Sequence, residues 1–252
     1  MNTKLTVQFL MLTFGIVLIT WGLMIILGQF GIMASNHLWL FIPWAIGGVS
    51  PAIASYFSLK KNNQVSDFKE WLKSIFNVKI SPVYYLFAII IVSLFHVIMI
   101  LASGLTEIRP LYMFFPLLVG CFFSGGLEEA GWRYILQPEL DKKQGFAISA
   151  IITGVIWFLW HLPLFFIPDA NQSNFSFLMY LILNITMSFS FGAVRKISGS
   201  VFLAIFAHTL HNAVGVGGIF IYNFSWVGTI VASAIIIFIS IIVVSVFTKK
   251  AK

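Results

Sequence analysis

Charge is what this sequence of 252 residues has least of. Aspartate, glutamate, lysine and arginine make up 9% of it, while 60% is apolar. Soluble domains carry about 25% charged residues, so an ordinary soluble domain is excluded. Cysteine is nearly absent too. Cys121 stands alone, which excludes an internal disulfide and any multi-cysteine metal site. No convincing small-residue cleavage site follows the first apolar stretch, Leu5 to Phe30. That stretch is also too long for a signal-peptide core, so it is read as a retained span.

What is present is a set of long tracts without charge: residues 5–59, 80–106, 110–127, 144–168, 170–194 and 197–248. A transmembrane helix needs roughly 20 apolar residues, so the two longest tracts hold two spans each and the others one. The expected fold class is therefore all-α: a polytopic membrane protein, a bundle of about eight transmembrane helices in a single integral membrane domain over 1–252. The expected spans are 6–30, 38–58, 83–104, 110–136, 146–167, 174–194, 198–219 and 225–247. Gly31 to Asn36 and Tyr222 to Ser225 supply the uncharged turns within the long tracts, and Gly215, Gly217 and Gly218 weaken the helix end before the second turn.

The basic residues orient the bundle. Lys4, Lys60, Lys61, Lys69, Lys73, Lys79, Lys142, Lys143, Arg195, Lys196, Lys249, Lys250 and Lys252 fall on one side, and only Arg109 on the other. Short loops rich in Lys and Arg stay inside, so both termini are expected in the cytoplasm of a cell whose plasma membrane holds the protein. The net charge of +7 then reflects orientation, and no nucleic-acid partner is called for. In the longest loop, 62–80, Phe68, Trp71, Leu72, Ile75 and Phe76 share one helical face and Lys69, Glu70 and Lys73 the other. With Asp67 and Glu70 placed as an N-terminal cap, this is expected to be an amphipathic helix in the cytoplasmic headgroup layer. It would serve as an anchor, or as a gate for a substrate arriving through lipid.

Ionisable groups inside spans are costly, and each is a functional candidate. Glu128, Glu129 and Arg133 fall in the fourth span, His161 in the fifth, His208, His211 and Asn212 in the seventh, and His96 in the third. On a continuous helix Glu129 and Arg133 lie at i and i+4 on one face and pair, while Glu128 lies about 100° around and points into the bundle. Ser124 and Cys121 share the Glu128 face. His208 and Asn212 are also i and i+4 neighbours. Counted from the cytoplasmic ends, Glu128 lies ~12 Å deep, His208 ~15 Å and His161 ~22 Å. One cavity shared by three helices accounts for all of them. His96 and His211 are read as hydrogen bonders between helices, and His37 as interfacial.

A carboxylate and an imidazole that share a water can take its proton and make a nucleophile. A second imidazole with an amide NH2 supplies two donors for the oxygen that becomes negative when a carbonyl is attacked. Together they suit peptide-bond hydrolysis without a covalent intermediate. Two histidines and a glutamate could instead hold zinc with one open position, although no H-E-x-x-H pair lies on one helix. A serine mechanism would use Ser124 and a cysteine mechanism Cys121. The same residues could also serve a non-enzymatic immunity or scaffold protein, or a transporter with a proton relay.

Glu128-Glu129-x-x-x-Arg133, then Trp157 four residues ahead of His161, then His208-x-x-x-Asn212, resembles the three motifs of the CAAX-protease and bacteriocin-processing family (CPBP or ABI), which contains the type II CAAX prenyl endopeptidases. The resemblance is best over 110–219, the expected catalytic core. It implies an intramembrane glutamic-type protease. Glu128 would be the general base paired with His161, His208 and Asn212 the oxyanion site, and Glu129 and Arg133 the support of that geometry. The family often carries phenylalanine where Trp157 stands, and the role there is read as packing. No cofactor and no metal is called for. The expected partners are the lipid bilayer and a membrane-associated peptide or protein substrate, lipidated or not, in prenyl-protein processing or in bacteriocin maturation or immunity.

Overall fold

A computed structural model describes residues 1–215 and 217–250; Lys252 of the expected cytoplasmic tail and Val216 of the expected seventh span lie outside them. Apart from one small two-stranded sheet, the regular structure of the described chain is helical. The long helices are α1 (Thr3–Gly28), α5 (Pro82–Ser103), α9 (Phe146–His161), α10 (Phe177–Ser198) and α12 (Trp226–Lys250). The shorter ones are α2 (Phe41–Gly48), α3 (Ser50–Lys61), α4 (Phe68–Ile75), α6 (Phe114–Ser124), α7 (Glu129–Gly131), α8 (Gln137–Gln144) and α11 (Val201–Val214). Among the described residues six helical stretches are long and apolar enough to cross a membrane, and α2 with α3 makes a seventh if taken as one span. The protein is an all-α, multi-pass integral membrane protein.

The spans are less regular than the hydropathy alone suggests. The second breaks at Val49, where α2 and α3 meet at 46°. Pro51, in the first turn of α3, has no N–H to continue the ladder from α2 but costs nothing at a helix start. The expected seventh span, 198–219, is the 14-residue α11, about 21 Å long and short of the ~30 Å hydrocarbon layer. Beyond it the glycine-rich stretch leads into β2 (Phe220–Tyr222), which pairs antiparallel with β1 (Leu105–Ile108). That pairing of two strands remote in sequence was not expected, because strands of three and four residues are too short to show an alternation.

Serines set several helix starts. Ser176 accepts from the Met179 N–H at 3.3 Å and Ser200 from the Leu203 N–H at 3.2 Å, so α10 and α11 begin with satisfied donors. Helix α10 packs between α9 and α12, and α11 against α5, α6 and α10. These contacts put the middle of α11 inside the bundle.

Helix α4 forms as expected. Asp67 accepts from the Glu70 N–H at 2.8 Å, and the Glu70 carboxylate accepts from the Ser66 N–H at 2.6 Å. Hydrogen bonds from Ser66 hold the Glu70 carboxyl below the usual carboxylate range. Trp71 and Ile75 are buried, and the Trp71 indole N–H donates to Ser55 Oγ at 2.9 Å. Lys69, Glu70 and Lys73 are exposed on the far side.

Candidate active site

The fourth span carries the site because its backbone changes register there. Helix α6 ends at Ser124, residues 126–128 form one 3-10 turn, α7 lasts a single turn, and Trp132–Leu136 is a π turn. The cause lies in the sequence. The Gln137 N–H bonds to the Trp132 carbonyl five residues back, and Pro138 has no N–H to offer the next carbonyl, that of Arg133. The Arg195 side chain on α10 fills the gap, with Nε donating to the Arg133 carbonyl at 3.2 Å. Single π turns inside helices recur at functional sites.

These turns give the two adjacent glutamates, Glu128 and Glu129, different partners. Glu129 and Arg133, both fully buried, form an ion pair with Nε to Oε2 at 3.0 Å. The other oxygen of Glu129 accepts from His208 Nδ1 at 2.9 Å. With Nδ1 committed, the His208 ring presents Nε2 elsewhere. Glu128 turns the opposite way, into a cavity of about 130 Å³ that it lines with Ser124, His161, His208, His211 and Asn212. The four residues expected to converge thus line one space.

Trp157 ties the acid to the imidazole. Its indole N–H donates to Glu128 Oε2 at 2.7 Å, and its backbone carbonyl accepts from His161 Nδ1 at 3.0 Å. That second bond leaves His161 Nε2 as the free ring nitrogen. The indole also meets the His208 ring edge-on at 5.3 Å and lies 5.5 Å from the Arg133 guanidinium carbon. Trp157 packs as expected, against the rings of Phe191 and His208, and it is in addition a hydrogen-bond donor to Glu128, a role that only its N–H, which phenylalanine lacks, could have signalled in the sequence.

Asn212 and His208 converge from α11 on the backbone of Gly125. A β-carbon there would lie 2.3 Å from Asn212 Nδ2 and 3.0 Å from His208 Nε2. Only glycine leaves room for the two groups. Three more polar residues enter the cavity from the segment 172–184: Gln172, Tyr180 and Asn184. Gln172 Nε2 donates to the Tyr180 hydroxyl at 3.4 Å, and the Tyr180 ring meets His161 edge-on at 5.3 Å. Asn184 bonds through Nδ2 to the Tyr180 carbonyl at 2.8 Å, while its buried Oδ1 has no hydrogen-bond partner among the described residues. None of the three carries a charge at neutral pH, so none stands out in the sequence by the cost of a charge in lipid.

Of the remaining histidines, His211 lines this space and His96 does not. His96 Nδ1 bonds to the Tyr222 hydroxyl at 2.7 Å, tying α5 to β2. His211 stacks on His96 with ring centroids 4.7 Å apart, and its Nδ1 has no hydrogen-bond partner among the described residues. His211 is thus a stacked ring rather than the inter-helix hydrogen bonder expected. Cys121 lines only a second cavity, of about 550 Å³, which shares Ser124, Glu128, His161, Gln172 and Asn212 with the first. Among the described residues no three His, Cys, Asp or Glu side chains are arranged to hold a metal ion.

Fold and site together define a polytopic helical membrane protein whose short eleventh helix closes a buried cluster of carboxylate, imidazole and amide. Residues 109–214, which contain all six motif residues, match the family model described as Type II CAAX prenyl endopeptidase Rce1-like. The stretch is also similar to the protein named CAAX prenyl protease 2 of Methanococcus maripaludis, 33% identical over 110 residues and covering 39% of each chain. The resemblance drawn from the motifs is borne out over this stretch, and the match spans well under half of that relative's length.

Proposed function

We propose that the protein is an intramembrane endopeptidase that hydrolyses a peptide bond of a membrane-associated peptide or protein with water activated by Glu128 and His161. The observation that carries this reading is the pair of bonds made by Trp157, which aims one carboxylate oxygen and one imidazole into the same cavity. A water between Glu128 and His161 Nε2 would lose its proton to that pair as it attacks the carbonyl carbon. The carbonyl oxygen becomes negative and is met by the Asn212 amide N–H. When protonated at both nitrogens, His208 adds an Nε2–H while its Nδ1–H stays on Glu129. The proton that Glu128 and His161 took from the water then passes to the departing amine. Glu129 and Arg133 act through His208 and set the direction of its ring.

A lipid or other apolar anchor on the substrate fits the surroundings. Beside the second cavity lies a wholly apolar one of about 580 Å³ between α3, α4 and α6, and the two share Val49 and Phe123. An amphipathic α4 resting in the headgroup layer would border that path. The relative's name attaches a prenylated CAAX protein to that relative; for this chain, a peptide held to the bilayer is the class the apolar path supports.

Comparing membrane peptides from cells carrying wild type or Glu128→Gln tests the reading. A fragment made by wild type should fall by about 10²-fold or more in the variant, as when a general base is removed. Identical peptide pools would refute a protease and favour a scaffold. Activity of the purified protein that disappears with a chelator and returns with zinc would replace activation by Glu128 and His161 with metal activation.

A further inference from the structure

A second polar pocket lies on the other side of the π turn from Glu128. It has a volume of about 270 Å³ and is lined by Gln137, Pro138, Asp141, Lys142, Phe146, Gly192, Arg195 and Lys196. Two of its three cations are neutralised: Lys196 pairs with Asp141, and Lys142 with Glu139, which also accepts from the Asn2 N–H at 2.6 Å. Arg195 has no carboxylate partner among the described residues. Its Nε is committed to the Arg133 carbonyl, which leaves its two terminal nitrogens as a charged fork. Gln137 is 4% exposed, and neither its Nε2 nor its Oε1 has a hydrogen-bond partner among the described residues. A buried amide with both ends unpaired is costly and marks a missing ligand. Room for that amide is made by Gly192, where a β-carbon would lie 2.4 Å from Nε2.

We propose that this pocket binds a phosphate group, held by the guanidinium fork of Arg195 and the amide N–H of Gln137. A guanidinium pairs with two phosphate oxygens at once, and the amide adds a third donor. Oε1 of Gln137 remains to accept from a hydroxyl of the bound molecule. The pocket lies at the ends of α8 and α10 that the charge distribution assigns to the cytoplasmic side, where basic pockets between helices meet phospholipid headgroups. Phospholipid and free phosphate share this chemistry. The site differs from the proposed peptide site in its residues and does not depend on protease activity. Its occupant would hold Arg195, and through Arg195 the Arg133 carbonyl and the π turn.

The test is native mass spectrometry of purified, delipidated protein titrated separately with dioctanoyl phosphatidylglycerol, dioctanoylglycerol and inorganic phosphate. Wild type should bind one phosphatidylglycerol tightly and dioctanoylglycerol weakly. Arg195→Gln should lower the phosphatidylglycerol affinity by about tenfold or more. Gly192→Ala, which only pushes a flexible amide into the pocket, should do the same while keeping the ligand-free melting temperature. Inorganic phosphate that displaces the lipid at millimolar levels would make free phosphate the occupant, and phosphate without effect would make it the lipid. Equal binding of dioctanoylglycerol, or an unchanged phosphatidylglycerol affinity in both variants, would overturn the proposal.

Discussion

The contribution of single residues is clearest at Trp157 and Gly125. Trp157→Phe keeps the ring against His208 and keeps the backbone carbonyl that holds His161, but removes the N–H bonded to Glu128. A hydrogen bond to a charged group is worth about 1.5–3 kcal/mol. The variant should fold normally and lose about tenfold in kcat, measured on an isolated peptide substrate. Gly125→Ala acts by displacement. Its new β-carbon meets Asn212 Nδ2 at 2.3 Å, and shifting a group by an ångström costs about 10²-fold in rate. A normal melting temperature with a loss of that size is the expected result. Neither role was legible beforehand. The sequence placed Glu128, His161, His208 and Asn212 through their cost in lipid, whereas an indole N–H and a missing β-carbon carry no such cost.

At the scale of elements, the sequence read well where a pattern repeats and poorly where helices bend. Helix α4 was legible because its apolar face recurs with helical period and because Asp67 and Glu70 form a cap within four residues. The break at Val49, the short α11 and the π turn were not, since hydropathy counts apolar residues and is blind to register. The π turn is the most consequential of these. Glu129 and Arg133 pair at i and i+4 as read, but the Arg133 backbone carbonyl, which Pro138 leaves without an N–H, accepts from the Arg195 side chain instead. Pro138→Ala restores an N–H and lets the segment tighten to α register. Removing a proline from a helix interior stabilises the helix, so the melting temperature should rise by about 2–4 °C per kcal/mol gained. Activity should fall, because the α register turns Glu129 away from His208. Thermal denaturation and peptide hydrolysis on the same preparation check both halves.

Across the whole molecule, the inventory of charges predicted a multi-pass membrane bundle, and the helices agree with it. The cluster of polar groups at one depth predicted a shared cavity, and Glu128, His161, His208 and Asn212 all line it. The fourth span, α9, α10 and α11 all contribute to that space, which is why no single segment reveals it. The account requires Glu128 and His161 to serve one water molecule rather than two separate tasks. Residues that act as a unit are far from additive. In proteoliposomes containing the substrate, Glu128→Gln, His161→Ala and the double variant should be compared for rate. The account predicts that the double variant is no slower than the worse single variant. Losses that multiply, each substitution exacting its full factor in the presence of the other, would contradict it.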